Sequence, residues 1–266
     1  MIPTRRVSRS FAALLGLLAF STTALHAEED AEVDPRAISA LEQMGSYLRG
    51  LKHFSISAAS QTDQVLNNGQ TVEFRHQIEL LAQPPDKLRV TVDAQGYSRS
   101  LFYNGQHFTL YDSRSHFFTR APAPANIDRL IDQLNQRYGI ELPLADLFRW
   151  DKATASQVGI TSALLIGSET LGDQTCNHYA YRQPDIDWQL WLRAGPQPLP
   201  CRVVISRRGE TERPRHSVDF HWQLNAPLTT RAFEFVPPAG ARAVPLQQLA
   251  PQEPAAPSES TTGTQP

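Results

Sequence analysis

The chain has 266 residues, 25 of them basic and 27 acidic, and 41% of its residues are hydrophobic. This length supplies material for one sizeable core, and the balanced charge without a basic stripe excludes a nucleic-acid partner. After the first 27 residues no stretch is long or apolar enough to cross a bilayer, so a membrane-spanning helix is excluded as well.

Residues 1–27 read as a cleaved export signal. Arg5, Arg6 and Arg9 form a positive start, residues 11–20 an apolar run, and Ala24-Leu25-His26-Ala27 a small-x-small cleavage site. The Arg5-Arg6 pair also raises twin-arginine export, although Ser8 stands where that signal carries an apolar residue. Removal of the signal leaves 22 basic against 27 acidic residues. No cysteine follows the cleavage site, so an acylated lipoprotein is not expected. The expected product is an exported, soluble, periplasmic protein.

Asp34-Pro35 is a helix start, a good N-cap followed by a residue suited to the first helical position. Ile38, Leu41, Met44, Leu48 and Leu51 recur at helical spacing, predicting an amphipathic helix as far as Lys52. From His53 the period changes to two. Phe54, Ile56 and Ala58 alternate with polar residues, and residues 67–70 make a hairpin turn. Val72, Phe74, His76, Ile78 and Leu80 share the next face, broken by Pro84-Pro85-Asp86. Leu88, Val90 and Val92 continue the alternation to Gly96. A strand at 100–103 turns at Asn104-Gly105, the strongest hairpin signal in the chain, and strands at 106–112 and 116–120 follow.

Asn126 caps a second helix with the stripe Ile127, Leu130, Ile131, Leu134 and Tyr138, stopped by Gly139. Residues 142–148 read as a short helix almost without a polar face, so burial is expected, as a plug or a lid over the sheet. Residues 150–160 are ambiguous. Strands then resume at 162–171, 176–183, 186–193, 201–208, 215–224 and 233–236. In the strand at 186–193, Ile186, Trp188, Leu190 and Leu192 share one face. Beyond about residue 245 the chain is rich in Pro, Gln, Ser and Thr and is expected to be disordered. The expected division is the signal at 1–27, one domain at 28–246 and a tail at 247–266.

Cys176 and Cys201 lie in the exported part, an even count in an oxidising compartment. In a simple meander the two would lie two strands apart, about 9.6 Å, beyond the roughly 7 Å that a disulfide tolerates. A bond therefore requires a sharp curl of the sheet or folded strand ends. The other reading is two buried thiols acting as small apolar residues.

Residues that could carry chemistry do not converge in sequence. No His pair has metal-ligand spacing, so no metal or cofactor is expected. Asp185 and Asp187 suit a turn and a strand start better than acid–base work. The G-x-S-x-G, Gly-rich phosphate-loop and C-x-x-C motifs are absent. Nothing in the sequence supports an enzyme.

Taken together, MGSYLRGLK at 44–52, YGIELPLADLF at 138–148, HYAYRQP at 178–184, DWQLW at 187–191, PLP at 198–200 and FEFVPPAG at 233–240 resemble a family of predicted periplasmic proteins of unknown function. Its fold is that of the lipoprotein-carrier, LolA/LolB-like superfamily. The resemblance covers residues 34–245 and implies an α+β fold: a large curved antiparallel sheet of about eleven strands, an incomplete barrel covered by helices. In the better-known carriers of the superfamily the hollow holds the acyl chains of a lipoprotein. One departure is Cys201, where the family usually carries a basic residue.

The leading expectation is therefore non-catalytic binding or carriage of a lipid or lipoprotein acyl chain in the cell envelope. Phe54, Phe74, Leu88, Val90, Phe108, Trp188 and Leu190 are the candidate walls of an apolar hollow. Leu142, Leu144, Leu147 and Phe148 are its candidate lid or plug. The alternative is an envelope interaction or sensor protein whose filled core takes no lipid.

Overall fold

The computed structural model describes residues 33–149 and 159–248. The expected signal, most of the ambiguous stretch after Phe148 and nearly all of the expected tail lie outside these residues.

The first helix, α1 (Pro35–Gly50), starts where the sequence places it. The Asp34 side chain accepts the backbone N–H of Arg36, and Pro35 occupies the first turn. Six strands follow: β1 (Phe54–Val65), β2 (Thr71–Gln83), β3 (Lys87–Ala94), β4 (Tyr97–Tyr103), β5 (His107–Asp112) and β6 (Phe117–Pro122). The second helix, α2 (Ile127–Tyr138), is capped by Asn126, which accepts from the Arg129 N–H, and stopped by Gly139 in the left-handed region. Five more strands complete the main sheet: β7 (Ser162–Leu171), β8 (Gln174–Arg182), β9 (Ile186–Arg193), β10 (Pro200–Arg207) and β11 (Arg215–Leu224). The two-residue β12 (Arg242–Ala243) ends the series.

Among the described residues these form one sheet in the order β12-β6-β5-β4-β3-β2-β1-β11-β10-β9-β8-β7. It consists of two meanders, β1–β6 and β7–β11, zipped together where β1 pairs antiparallel with β11, from Phe54 opposite Leu224 to Thr62 opposite His216. The sheet is large, curved and unclosed. Among the named strands only β12, lying parallel beside β6, departs from antiparallel pairing; Val33 adds an isolated parallel bridge to Ala163 of β7. The strand count is twelve, against about eleven implied by the resemblance; the last is the two-residue β12, too short to show a period, and not the strand expected at 233–236.

Each meander carries its own helix. α1 buries Ala37, Leu41, Met44 and Leu48 against Tyr179, Tyr181, Trp188 and Leu190, and the Tyr181 hydroxyl donates to the Ala37 carbonyl at 2.9 Å. α2 buries Ile127, Leu130, Ile131 and Leu134 against Ile56, Leu80, Leu88, Val90, Tyr103 and Phe108. Each fully buried side chain of this size contributes about 1.5–3 kcal/mol relative to exposure. Leu51, Leu147, Val203, Trp222 and Leu224 touch both clusters and mark the seam between them.

Two expectations are corrected. The segment 142–148 is not a buried helix. It forms a single 3₁₀ turn, Ala145–Phe148, and none of its residues is buried. Pro143 biases the preceding Leu142 away from helical geometry, and Leu144 adopts a left-handed φ of 61°, so only one turn forms beyond it. The segment 233–236 is not a strand. Phe233 ends a 3₁₀ turn, Thr230–Phe233, and is itself buried. Phe235 then lies against Phe102, Tyr111 and Phe118, with ring centroids 5.1–5.4 Å away. Anchoring by isolated rings, instead of alternation along a strand, explains why its pattern reads as β without pairing.

Candidate functional site

The 3₁₀ turn sits over the seam, and beneath it the two halves of the sheet differ. Under most of α2 the concave face is filled by a buried apolar cluster. Leu88, Val90 and Phe108 are buried to within 2%, and Phe108 meets Tyr138 of α2 edge-on at 5.8 Å. These three expected wall residues pack into the α2 cluster and are not among the described lining residues of the two hollows below.

Under α1 the packing opens into a cavity of about 460 Å³. Its floor is the apolar face of three adjacent strands: Trp188 and Leu190 of β9, Val203 and Ile205 of β10, Val218 and Phe220 of β11. Met44 of α1 forms one side, and Leu144 and Leu147 of the 3₁₀ turn cover it. Alternation explains the uniform floor: in a half-buried strand every second residue faces the same way. The volume falls within the range of small-molecule sites, about 300–1,000 Å³.

A second, smaller hollow of about 340 Å³ lies on the other side of the turn. Phe54, Leu48, Ile127, Leu147 and Phe148 are among its walls. Leu147 lines both spaces. Phe54 anchors this wall, stacked on Phe148 at 6.3 Å and tilted against Trp222 at 5.5 Å.

The structure thus divides the expected residues. Trp188, Leu190, Leu144 and Leu147 line the larger cavity; Phe54, Leu147 and Phe148 line the smaller. Leu142 packs on the α2 cluster. Phe74 is half-buried on the part of the β1–β2 hairpin that extends beyond the β2–β3 pairing, and belongs to neither cluster. Sequence reasoning missed Met44, Val203, Ile205, Val218 and Phe220. The signal was present in the alternation of 201–208 and 215–224, but which meander stayed open depends on how the helices seat.

The polar residues of the larger cavity are Asp146, Arg149, Gln183 and His216. His216 and Thr62 share a hydrogen bond of 2.7 Å across β11 and β1. Burial, and then the charge of nearby His76, hold the His216 imidazole below its ordinary pKa, so it is neutral at pH 7. Arg149 Nη2 donates to Asp132 on α2, while its buried Nε has no acceptor. Among the described residues no group of three or more His, Cys, Asp or Glu gathers in metal-binding fashion.

The outer face of the same strands combines an ion-pair cluster with a small buried apolar patch of Cys176, Trp191, Cys201 and Val204. Asp187 accepts from Arg182 at 2.7 Å and from Arg213 at 2.6 Å, which together hold its carboxyl below the usual range. Cys176 and Cys201 are joined by a disulfide with a Cα separation of 6.7 Å. Flat-sheet spacing would keep them apart. Pro200 pairs with Leu192 and Arg202 with Trp191, leaving Cys201 as the extra residue of a bulge, and bulges bend a strand locally. Pro200, beside that bulge, lines the cavity, and its carbonyl accepts the Trp222 indole N–H at 2.8 Å.

Solved structures similar to the chain include the lipoprotein LppX of Mycobacterium tuberculosis, 13% identical, covering 74% of this chain and 99% of that one with a TM-score of 0.46. LprF of Mycobacterium bovis is 12% identical over 74% of this chain and 97% of its own, with a TM-score of 0.47. A LolA superfamily protein from Nitrosomonas europaea is 11% identical over 75% and 97%, with a TM-score of 0.34. No curated protein matches the sequence. The family described as predicted periplasmic protein, DUF2092, matches residues 37–247. The chain, capped helix to closing strand, belongs to this DUF2092 family of predicted periplasmic proteins.

Proposed function

We propose that the protein binds and carries a hydrophobic ligand, a lipid or a lipoprotein acyl chain, in the cell envelope, without catalysing a reaction on it. The observation that carries this reading is the cavity of about 460 Å³ under α1, floored by six apolar side chains and roofed by a half-buried turn. Apolar walls supply burial and little else. A chain of about ten methylenes buried there would gain about 8 kcal/mol before the cost of immobilising it. The turn suits a lid because it is a single 3₁₀ turn with no fully buried residue. The filled cluster under most of α2 is what favours the alternative, an interaction or sensor protein without a lipid.

The test is native mass spectrometry of the chain purified from the periplasm, before and after organic extraction. The carrier reading expects a bound species that extraction removes, with the mass of an acyl lipid or acylated peptide. A bare protein that also fails to take up a fluorescent fatty acid overturns it.

A further inference from the structure

We infer that the cavity under α1 takes a single-chain amphiphile with an anionic oxygen head, a carboxylate or a phosphate, and that Arg149 receives that head. The inference rests on the carrier reading above and adds the ligand class. Among the described lining residues Arg149 is the only cation, because His216 is kept neutral by its surroundings. It follows directly on the 3₁₀ turn, its backbone N–H bonded to the Asp146 carbonyl at 2.9 Å, so its side chain is rooted in the roof of the cavity.

Its guanidinium is incompletely used. Nη2 donates to Asp132 at 2.5 Å, while Nε is buried without an acceptor. A buried charged donor left unpaired is costly, whereas a half-exposed ion pair is worth little. Arg149 and Asp132 are 37% and 46% exposed, which makes their bridge the exchangeable half of the arrangement. A carboxylate or phosphate can take two parallel N–H donors of a guanidinium, Nε and one Nη, in the fork geometry that lysine lacks. Asp146, the other charged residue of the lining, is exposed. It disfavours anions at the mouth in general, so selection depends on direct contact with Arg149. The apolar floor of Trp188, Leu190, Val203 and Val218 then takes the chain.

The experiment compares dodecanoate, dodecyl phosphate, dodecanol and dodecyltrimethylammonium, all below their micellar concentrations, by isothermal titration on the mature protein and two variants. In the wild type both anions are expected to bind at least tenfold more tightly than dodecanol, and the cation more weakly than either. Arg149→Met should remove that tenfold advantage, both anions then binding no more tightly than dodecanol does to the same variant; Asp132→Asn, which releases the guanidinium, should tighten both anions. A preference for one anion over the other separates a fatty-acid cargo from a phospholipid-derived one. Equal affinity for all four ligands, or an Arg149→Met protein that keeps the anion preference, overturns the inference and leaves the carrier reading standing. Failure of every ligand, dodecanol included, overturns both.

Discussion

Phe148 stacks on Phe54 with 6.3 Å between ring centroids, and this contact joins the 3₁₀ turn to the strand at the middle of the sheet. Phe54 also meets Trp222, whose indole N–H is held by Pro200 beside the Cys201 bulge. The roof, the seam and the disulfide therefore form one continuous set of contacts around the cavity.

If the turn is a lid, loosening that stack should change ligand exchange more than it changes the fold. Phe148 is half-buried, so Phe148→Ala is expected to cost about 1–2 kcal/mol, less than the 3–5 kcal/mol of a fully buried ring. Entry and exit of a fluorescent fatty acid, followed by stopped flow, should accelerate at least threefold. Unchanged rates would mean that the turn does not gate the cavity.

The two halves of the sheet should separate stability from binding. Leu88→Ala removes a fully buried side chain from the filled half and should cost about 2–5 kcal/mol, with probe affinity unchanged at temperatures where the variant stays folded. Val203→Phe adds volume to the cavity floor, where there is room for it. It should cost less than about 1.5 kcal/mol and reduce probe affinity at least tenfold. Denaturant melts beside probe titrations make the comparison, and loss of binding in Leu88→Ala alone would reverse the assignment.

The difference between the halves marks where sequence reading stops. The period-two alternation from Phe54 onward, the Asp34 and Asn126 caps and the Asn104-Gly105 turn placed both helices and eleven strands close to their observed bounds, because each signal is local. The resemblance of the chain to its family supplied the curved sheet. Leu88 and Trp188 look alike in sequence, each an apolar residue on an alternating strand. One is filled over by Leu130 and Leu134 of α2, and the other faces a gap beside Met44 of α1. That distinction depends on how two helices seat on the sheet, which no local pattern encodes. Cys201 is similar: its pairing with Cys176 depends on a one-residue bulge that alternation cannot reveal.

The disulfide closes a separation of 25 residues, for which loop entropy gives about 3–4 kcal/mol. The variant Cys176→Ala/Cys201→Ala should lose about that much in a denaturant melt, and the wild type under strong reductant should match it. Because Pro200 borders the bulge and the cavity together, probe affinity should fall as well. A fully stable, fully binding reduced protein would show that the bulge holds its shape without the bond.

Stability should fall in mild acid through His216. Its folded pKa lies below the ordinary 6.5, first from burial and then from His76, so the unfolded chain takes up the proton more readily. Stability is therefore lost as pH drops below about 6.5, ahead of the carboxylates. Asp187, held low by Arg182 and Arg213, acts only below its ordinary 3.8, where its stabilising pairing is lost as pH falls towards its folded value. The melting temperature should decline between pH 7 and 5, and His216→Gln should flatten that decline. An unchanged slope would place the acid sensitivity elsewhere.

The central claim, that an acyl chain lies on the floor formed by β9, β10 and β11, is tested most directly by fluorescence quenching with a mid-chain dibrominated fatty acid. Trp188 lines that floor, and Trp150, Trp191 and Trp222 can be replaced by phenylalanine to leave it as the sole reporter. Bound quencher should extinguish most of the Trp188 emission, saturate at one equivalent, and be displaced by the unbrominated acid. Saturable binding that leaves Trp188 bright would place the ligand elsewhere, and no binding at all would contradict the account.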